Sequence, residues 1–184
     1  MKKWQIIQKI DVSPSKWFPV EKHIVQLEDG RIVDDYFIAP FGEIAMILPI
    51  TTTGEIVFVK QHRHGIYDIL LELPAGFCQT DKTIEETAVA ELHEETGIKI
   101  NTSDLEPLGK LSNMPSKLKS ITHGFLAQNL QFNAQQQLDE TESIEIITIK
   151  PKRVLELIDN QKIWAVDTVA FILKAYRKYP HLFT

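Results

Sequence analysis

The chain has 184 residues, 43% of them apolar, and a formal net charge of -5. That is enough for one globular domain with a real core, plus a small appendage. Its 20 Lys and Arg are scattered, which excludes a basic nucleic-acid stripe or a polybasic membrane patch, so an anionic ligand would need local positive charge or a metal.

In chain order, the stretch from Trp4 to about Ile38 alternates in short runs, with Glu28-Asp29-Gly30-Arg31 as the turn between Ile24–Leu27 and Ile32–Phe37. It reads as a β appendage of residues 1–40. Pro40 and Gly42 are expected to interrupt the chain before a buried hairpin, Ala45–Ile50 and Ile56–Val59 around a turn at Thr52-Thr53-Gly54. Another strand is expected over Ile69–Leu73. Thr83 and Glu86 have capping-box spacing, which predicts a helix over Ile84–Thr96 with Val89 and Leu92 on one side, stopped by Gly97. Strands follow at Ile98–Ile100, Leu105–Leu111, Ile121–Ala127 and Ile144–Ile149. The end is helical: Pro151 suits a first helical position, and Val166, Val169, Ala170, Leu173 and Tyr176 form a stripe at helical spacing, read as core packing. Interleaved strands and helices predict an α/β fold with a mixed sheet.

The single cysteine, Cys78, is read as an unreactive thiol that cannot form an intrachain disulfide. Met1-Lys2-Lys3-Trp4-Gln5 has no signal-peptide apolar run, and no segment nears the roughly 20 apolar residues that cross a bilayer. A cytoplasmic location is the expectation.

The chemistry concentrates in Glu91, Glu94 and Glu95. At about 100° per residue these positions share one arc of the expected helix, a set of oxygen ligands suited to a hard divalent cation. Alone, such a spacing more often marks a solvated face. Here Glu72-Leu73-Pro74-Ala75-Gly76-Phe77 ends a strand just upstream, so loop backbone and helix carboxylates are expected to converge.

These residues resemble the box of the Nudix hydrolase family, in which a Gly is followed after five residues by Glu and, after seven more, by Arg-Glu-apolar-any-Glu-Glu-any-Gly-apolar. Gly76, Glu91, Leu92, Glu94, Glu95, Gly97 and Ile98 match in register. With Glu-Leu-Pro-Ala-Gly ahead of the box and Gln61-His62-Arg63 upstream, the chain is most similar to the ADP-ribose and nucleoside-diphosphate-sugar pyrophosphatase branch, over roughly residues 17 to 150. Two positions depart: Lys82 stands for the expected Glu and Ala90 for the expected Arg. Losing both removes a bracing ion pair and leaves no single charge stranded.

The resemblance implies a Nudix α/β/α sandwich over residues 41–184, with the N-terminal β appendage as a dimerisation element and a homodimer as the assembly. It implies metal-dependent hydrolysis of a nucleoside diphosphate sugar, ADP-ribose first, to a nucleoside monophosphate and a sugar phosphate. Mg²⁺ or Mn²⁺ would be held by Glu91, Glu94, Glu95 and the carbonyl of Ala75. The base is expected in the acidic loop Leu138–Glu145, Glu140 ahead of Glu142, with a plain solvated loop as the competing reading, and Glu94 is counted with them as catalytic. Arg63 resembles a phosphate contact and Glu72 a substrate neighbour; Trp17 and Phe18 offer rings for stacking, or else pack in the appendage. His93 is read as a surface residue. Ser112–Ser120, with two Lys in place of a Pro-Gly turn, leaves the sugar preference open. The alternatives are a GDP-mannose-type substrate, a non-catalytic nucleotide-sugar-binding module favoured by Lys82 and Ala90, and, fitting less well, oxidised nucleotides or RNA caps.

Overall fold

The structure is a computed structural model and describes residues 1–184. Its strands are β1 (Gln5–Asp11), β2 (Glu21–Gln26), β3 (Ile32–Thr51), β4 (Ile56–Arg63), β5 (Asp68–Glu72), β6 (Ala75–Phe77), β7 (Glu106–Ser112), β8 (Leu118–Leu130) and β9 (Ile144–Ile149). The helices are α1 (Ile84–Thr96), α2 (Pro151–Asp159) and α3 (Val166–Lys178). The backbone divides into two compact units, Met1–Gly42 with Ser112–Ile121, and Glu43–Leu111 with Thr122–Thr184.

In the first unit β1, β2 and the start of β3 form an antiparallel meander, registered from Gln5↔Gln26 to Asp11↔Glu21 and from Gln26↔Ile32 to Glu21↔Ile38. Gly30, at φ +89°, makes the turn expected at residues 28–31, a backbone state in which any other residue would be strained. The 112–121 segment is tied in by Ala39 N–H to the Lys117 carbonyl and Tyr36 O–H to the Ser116 carbonyl, both 2.8 Å. The expected interruption at Pro40 and Gly42 does not occur, because β3 runs straight through both. Register with β2 ends at Ile38, so the N–H that Pro40 lacks falls on a side where no strand awaits it.

The second unit is a sandwich. Along β3, Ala45 and Ile47 face one side while Met46, Leu48 and Ile50 face the other, and every one is buried, as a strand covered on both faces requires. The first side, with Val57, packs on Ala88 and Leu92 of α1. The second, with Ile56 and Phe58, packs on Val154 of α2 and Phe171, Ile172 and Ala175 of α3. β4 is the hub, antiparallel to β5 and β9.

Three expectations need correcting here. Ile98–Ile100 is not a strand: the Asn133 side chain takes both Lys99 backbone groups, at 2.8 and 3.1 Å, and no neighbouring strand is needed. On α1 the core residues are Ala88 and Leu92, with Val89 only half-buried. On α3 the buried series is Thr168, Phe171, Ile172 and Ala175, while Val166 is 71% and Leu173 and Tyr176 each 42% exposed. Two apolar series share that helix, and Gly124 of β8 selects between them. A Cβ on Gly124 would lie 2.1 Å from the Phe171 ring, so the missing side chain is the seat of that ring. Gly124→Ala is therefore expected to cost about 1–3 kcal/mol by overpacking a rigid aromatic, seen as a melting temperature several degrees lower. An unchanged melting temperature would mean the ring is not seated there.

Candidate active site

α1 starts where the sequence places it. Thr83 Oγ1 accepts the Glu86 N–H at 3.1 Å and Glu86 Oε2 accepts the Thr83 N–H at 2.7 Å, a closed capping box of about 1 kcal/mol. Gly97, at φ +73°, ends the helix, and a Cβ there would meet the Ala134 carbonyl at 2.5 Å. The chain after β8 docks on this same end. Ala134 N–H donates to the Gly97 carbonyl at 2.9 Å, Gln137 N–H to that of Glu94 at 2.8 Å, and the Gln136 side chain to that of Glu95 at 2.6 Å. These bonds satisfy carbonyls that the last helical turn leaves open, and they carry the acidic loop to the carboxylates.

The result is a cleft of about 680 Å³ lined by Glu91, Glu94 and Glu95 of α1, the Ala75-Gly76-Phe77 edge of β6, Arg63 of β4, Glu72 of β5, and Asp139 and Glu142 of the acidic loop. β6 is held on β3 by Ala45↔Gly76 and Met46↔Ala75. Gly76 is glycine for a steric reason: a Cβ would come within 2.1 Å of the Glu91 carboxyl carbon, so Glu91 lies directly on the loop backbone. Glu95 accepts the Ala75 N–H at 3.1 Å. Arg63 Nε donates to Glu72 Oε2 at 2.6 Å.

The electrostatics are those of acids crowded together. Burial pushes Glu91 up to about 7, helped by Glu94 and Glu142, and Lys82 opposes this; burial and Glu91 push Glu95 up to about 8. Burial also raises Glu72, against the pull of Arg63. As they stand, the side chains form no closed cluster of three or more acidic or imidazole groups around one point. Glu91 is folded onto Gly76 and Glu95 onto the Ala75 N–H, which is where mutually repelling carboxylates find relief. The donor set nonetheless fits a hard divalent cation. The donors are all carboxylate or backbone oxygens lining one cleft, and the raised Glu91 and Glu95, pushed up first by burial and then by neighbouring carboxylates, have too little positive charge facing them.

That imbalance has a testable consequence. Groups at about 7 and 8 when folded, but at the ordinary 4.5 when unfolded, keep their protons in the native state over a range where the unfolded chain has released them. Their contribution to the stability of the metal-free protein is thus fully present below about pH 4.5 and is lost as pH rises to about 8. The depressed carboxyls Asp11, Glu21 and Glu86 act only below that window. Thermal melts in chelator should fall between pH 5 and 8, and Mg²⁺ should restore more at pH 8 than at pH 6. A flat or rising profile in chelator would contradict this.

Of the expected site residues, Ala75, Glu91, Glu94, Glu95, Arg63, Glu72 and Glu142 all line the cleft, whereas Glu140 does not. The reason is a turn in which Glu142 N–H donates to the Asp139 carbonyl at 3.0 Å and Asp139 N–H to Glu142 Oε2 at 3.1 Å; its two ends face the cleft and Glu140 sits at its tip. Trp17 belongs to the first unit, where it is 80% exposed beneath the Lys16 ammonium, 4.6 Å from the ring centre. His93, expected at the surface, is half-buried, and its Nε2 is enclosed without a hydrogen-bond partner. Asp139, Gln79, Gln137 and Asp167 also line the cleft and were not singled out. Asp167 lies in the first turn of α3, where an acid has no sequence signal beyond helix-start chemistry.

A sandwich with a glutamate-lined cleft at the end of a strand-loop-helix unit suits metal-assisted chemistry on a phosphate ester or anhydride, and the comparisons supply the class. The family model described as NUDIX domain matches residues 40–165, and the chain belongs to the Nudix family, as a hydrolase of its pyrophosphatase type. It is 29% identical over 145 residues to the ADP-ribose pyrophosphatase of Bacillus subtilis (strain 168), covering 78% of this chain and 77% of that one. It is also 29% identical over 146 residues to the methanol dehydrogenase activator of Bacillus methanolicus, covering 79% and 77%. A crystal structure of an ADP compounds hydrolase superposes with a TM-score of 0.85 at 23% identity, over 98% of this chain and 96% of that one, a likeness of fold. Nudix hydrolases work with divalent metals. No helix is long and apolar enough to cross a membrane.

Proposed function

We propose that this Nudix hydrolase cleaves the pyrophosphate bond of a nucleoside diphosphate sugar, ADP-ribose first, releasing a nucleoside monophosphate and a sugar phosphate. The observation that carries this reading is the single cleft shared by the α1 glutamates, the Ala75-Gly76 backbone, Arg63 and Glu142. The similarity to a B. subtilis ADP-ribose pyrophosphatase over most of both chains supports the substrate.

Glu91, Glu94, Glu95 and the Ala75 carbonyl are the proposed holders of Mg²⁺ or Mn²⁺. Bound there, such ions neutralise phosphate oxygens and make water a better nucleophile. Arg63 uses only Nε on Glu72, so its terminal guanidinium nitrogens remain to fork onto a phosphate. Glu142, preferred now over Glu140, takes the proton of the attacking water; it lines the cleft and has solvent to pass the proton to. Trp17 is proposed to stack on the base, and the first unit to serve a homodimer. The protein is expected in the cytoplasm.

A panel of ADP-ribose, ADP-glucose, GDP-mannose and an oxidised nucleotide, with and without Mg²⁺ or Mn²⁺, tests the reading. ADP-ribose should give the highest kcat/KM, with no product in chelator. Lys82 and Ala90 favour a second reading, a binding module without turnover. Tight binding with no hydrolysis under either metal would establish that reading and sink the enzyme.

A further inference from the structure

Charge is unevenly distributed in this cleft. Besides the α1 glutamates and the loop acids Asp139 and Glu142, it holds two more carboxylates, Glu72 at the end of β5 and Asp167 in the first turn of α3, with Arg63 bound to Glu72. Thr168 fastens this corner: its buried Oγ1 accepts the Leu73 N–H at 3.1 Å, holding the start of α3 against the residue after Glu72. Asp167 uses Oδ1 on the Thr168 N–H at 2.9 Å, and its Oδ2 remains for a ligand. Glu72 likewise uses Oε2 on Arg63 and keeps Oε1.

The α1 glutamates would have the proposed metal to neutralise them, whereas Glu72 and Asp167 have one guanidinium, Arg63, between two carboxylates, so a diphosphate is disfavoured against this pair. Carboxylates there accept hydrogen bonds, and the neutral donors flanking a diphosphate in a nucleotide sugar are sugar hydroxyls. Adjacent hydroxyls offer two donors, and Glu72 and Asp167, each held by one oxygen, offer an acceptor apiece. Arg63 then lies where the ligand changes from hydroxyl-bearing ring to phosphate, its Nε turned to Glu72 and its terminal nitrogens free for phosphate oxygens.

We propose that Asp167, together with Glu72, reads the sugar hydroxyls next to the diphosphate and so determines which sugar the enzyme accepts. This rests on the function proposed above and deepens it. Charge-assisted hydrogen bonds of this kind support roughly 10- to 100-fold discrimination against a ligand lacking the hydroxyl.

The test compares wild type, Asp167→Ala and Asp167→Asn on ADP-ribose and on two analogues, one deoxygenated on the adenosine ribose, the other on the terminal ribose. Steady-state kinetics with Mg²⁺ is run beside calorimetric binding with Ca²⁺. Asp167→Ala should raise KM and Kd for ADP-ribose about 10- to 100-fold with kcat little changed, and Asp167→Asn, which keeps a neutral acceptor for the Thr168 N–H, by less. On one analogue the three proteins should be equal. A penalty of the same size on all three ligands, or none on any, overturns the assignment, since loss of a helix-start acid alone would not distinguish them. Wild-type binding without turnover would defeat the enzymatic reading, while Kd values would still decide Asp167. Absence of binding by wild type would defeat both.

Discussion

Glu95→Gln is expected to lower kcat/KM on ADP-ribose by at least about a hundredfold while the protein folds normally. The carboxyl is buried and held up to about 8, so at neutral pH without metal it already carries a proton for much of the time. Gln reproduces that neutral state nearly atom for atom, and its amide oxygen can keep the Ala75 N–H bond that Glu95 makes at 3.1 Å. Metal-free stability should therefore be unchanged or slightly higher, most visibly toward pH 8, where the wild type bears the cost of the buried charge. What Gln cannot supply is the charge that holds a divalent ion. Removing a donor that works on the charge developing at phosphate costs about 2.7 kcal/mol or more, the energy of a hundredfold in rate. Kinetics, chelator-state melts and Mg²⁺ titration of both proteins decide it. Near-normal turnover would move the metal centre away from α1.

The legibility of this chain follows the range of its forces. α1 was readable to the residue because its signals are local: Thr83 and Glu86 cap it, Gly97 stops it, and its three glutamates recur at helical spacing. The two-sided strands around Ala45–Ile50 and Ile56–Val59 were readable because unbroken apolar runs mean burial on both faces. Features set by distant partners were not. No local pattern says which apolar series of α3 faces inward, because Gly124, far away in sequence, makes the seat for Phe171. Nor does the composition of Ile98–Ile100 reveal that one side chain, Asn133, replaces a whole strand partner. Pro40 looked like a break because its own backbone lacks a donor, and only the end of the β2 register shows that the donor was unneeded.

The candidate site divides in the same way. Its α1 and β6 parts lie within one short stretch and were legible together, whereas the order of Glu140 and Glu142 depended on a turn that only three-dimensional hydrogen bonding defines. Asp167 arrives from the far end of the chain and shares no spacing with the box.

Gly76→Ala should also separate activity from stability, and it does so without altering any charged group. Gly76 adopts no left-handed conformation, so alanine meets no backbone penalty. Its Cβ would instead lie 2.1 Å from the Glu91 carboxyl carbon and 2.2 and 2.5 Å from its two oxygens. One party must move, and the end of a half-buried, flexible glutamate moves far more cheaply than a strand registered as Ala45↔Gly76. This is the reverse of Gly124→Ala, where the obstructed group is a fully buried ring with nowhere to go. The melting temperature should therefore change little, while displacement of Glu91 from the loop backbone weakens metal binding and lowers kcat/KM by roughly 10- to 100-fold, the scale of disturbed support around a metal ligand. Excess Mg²⁺ or Mn²⁺ should recover part of the loss, since the carboxylate is displaced and not removed, and Glu91→Gln should show no such recovery. Unchanged activity and metal affinity in Gly76→Ala would mean that the contact between Glu91 and the loop has no part in the reaction.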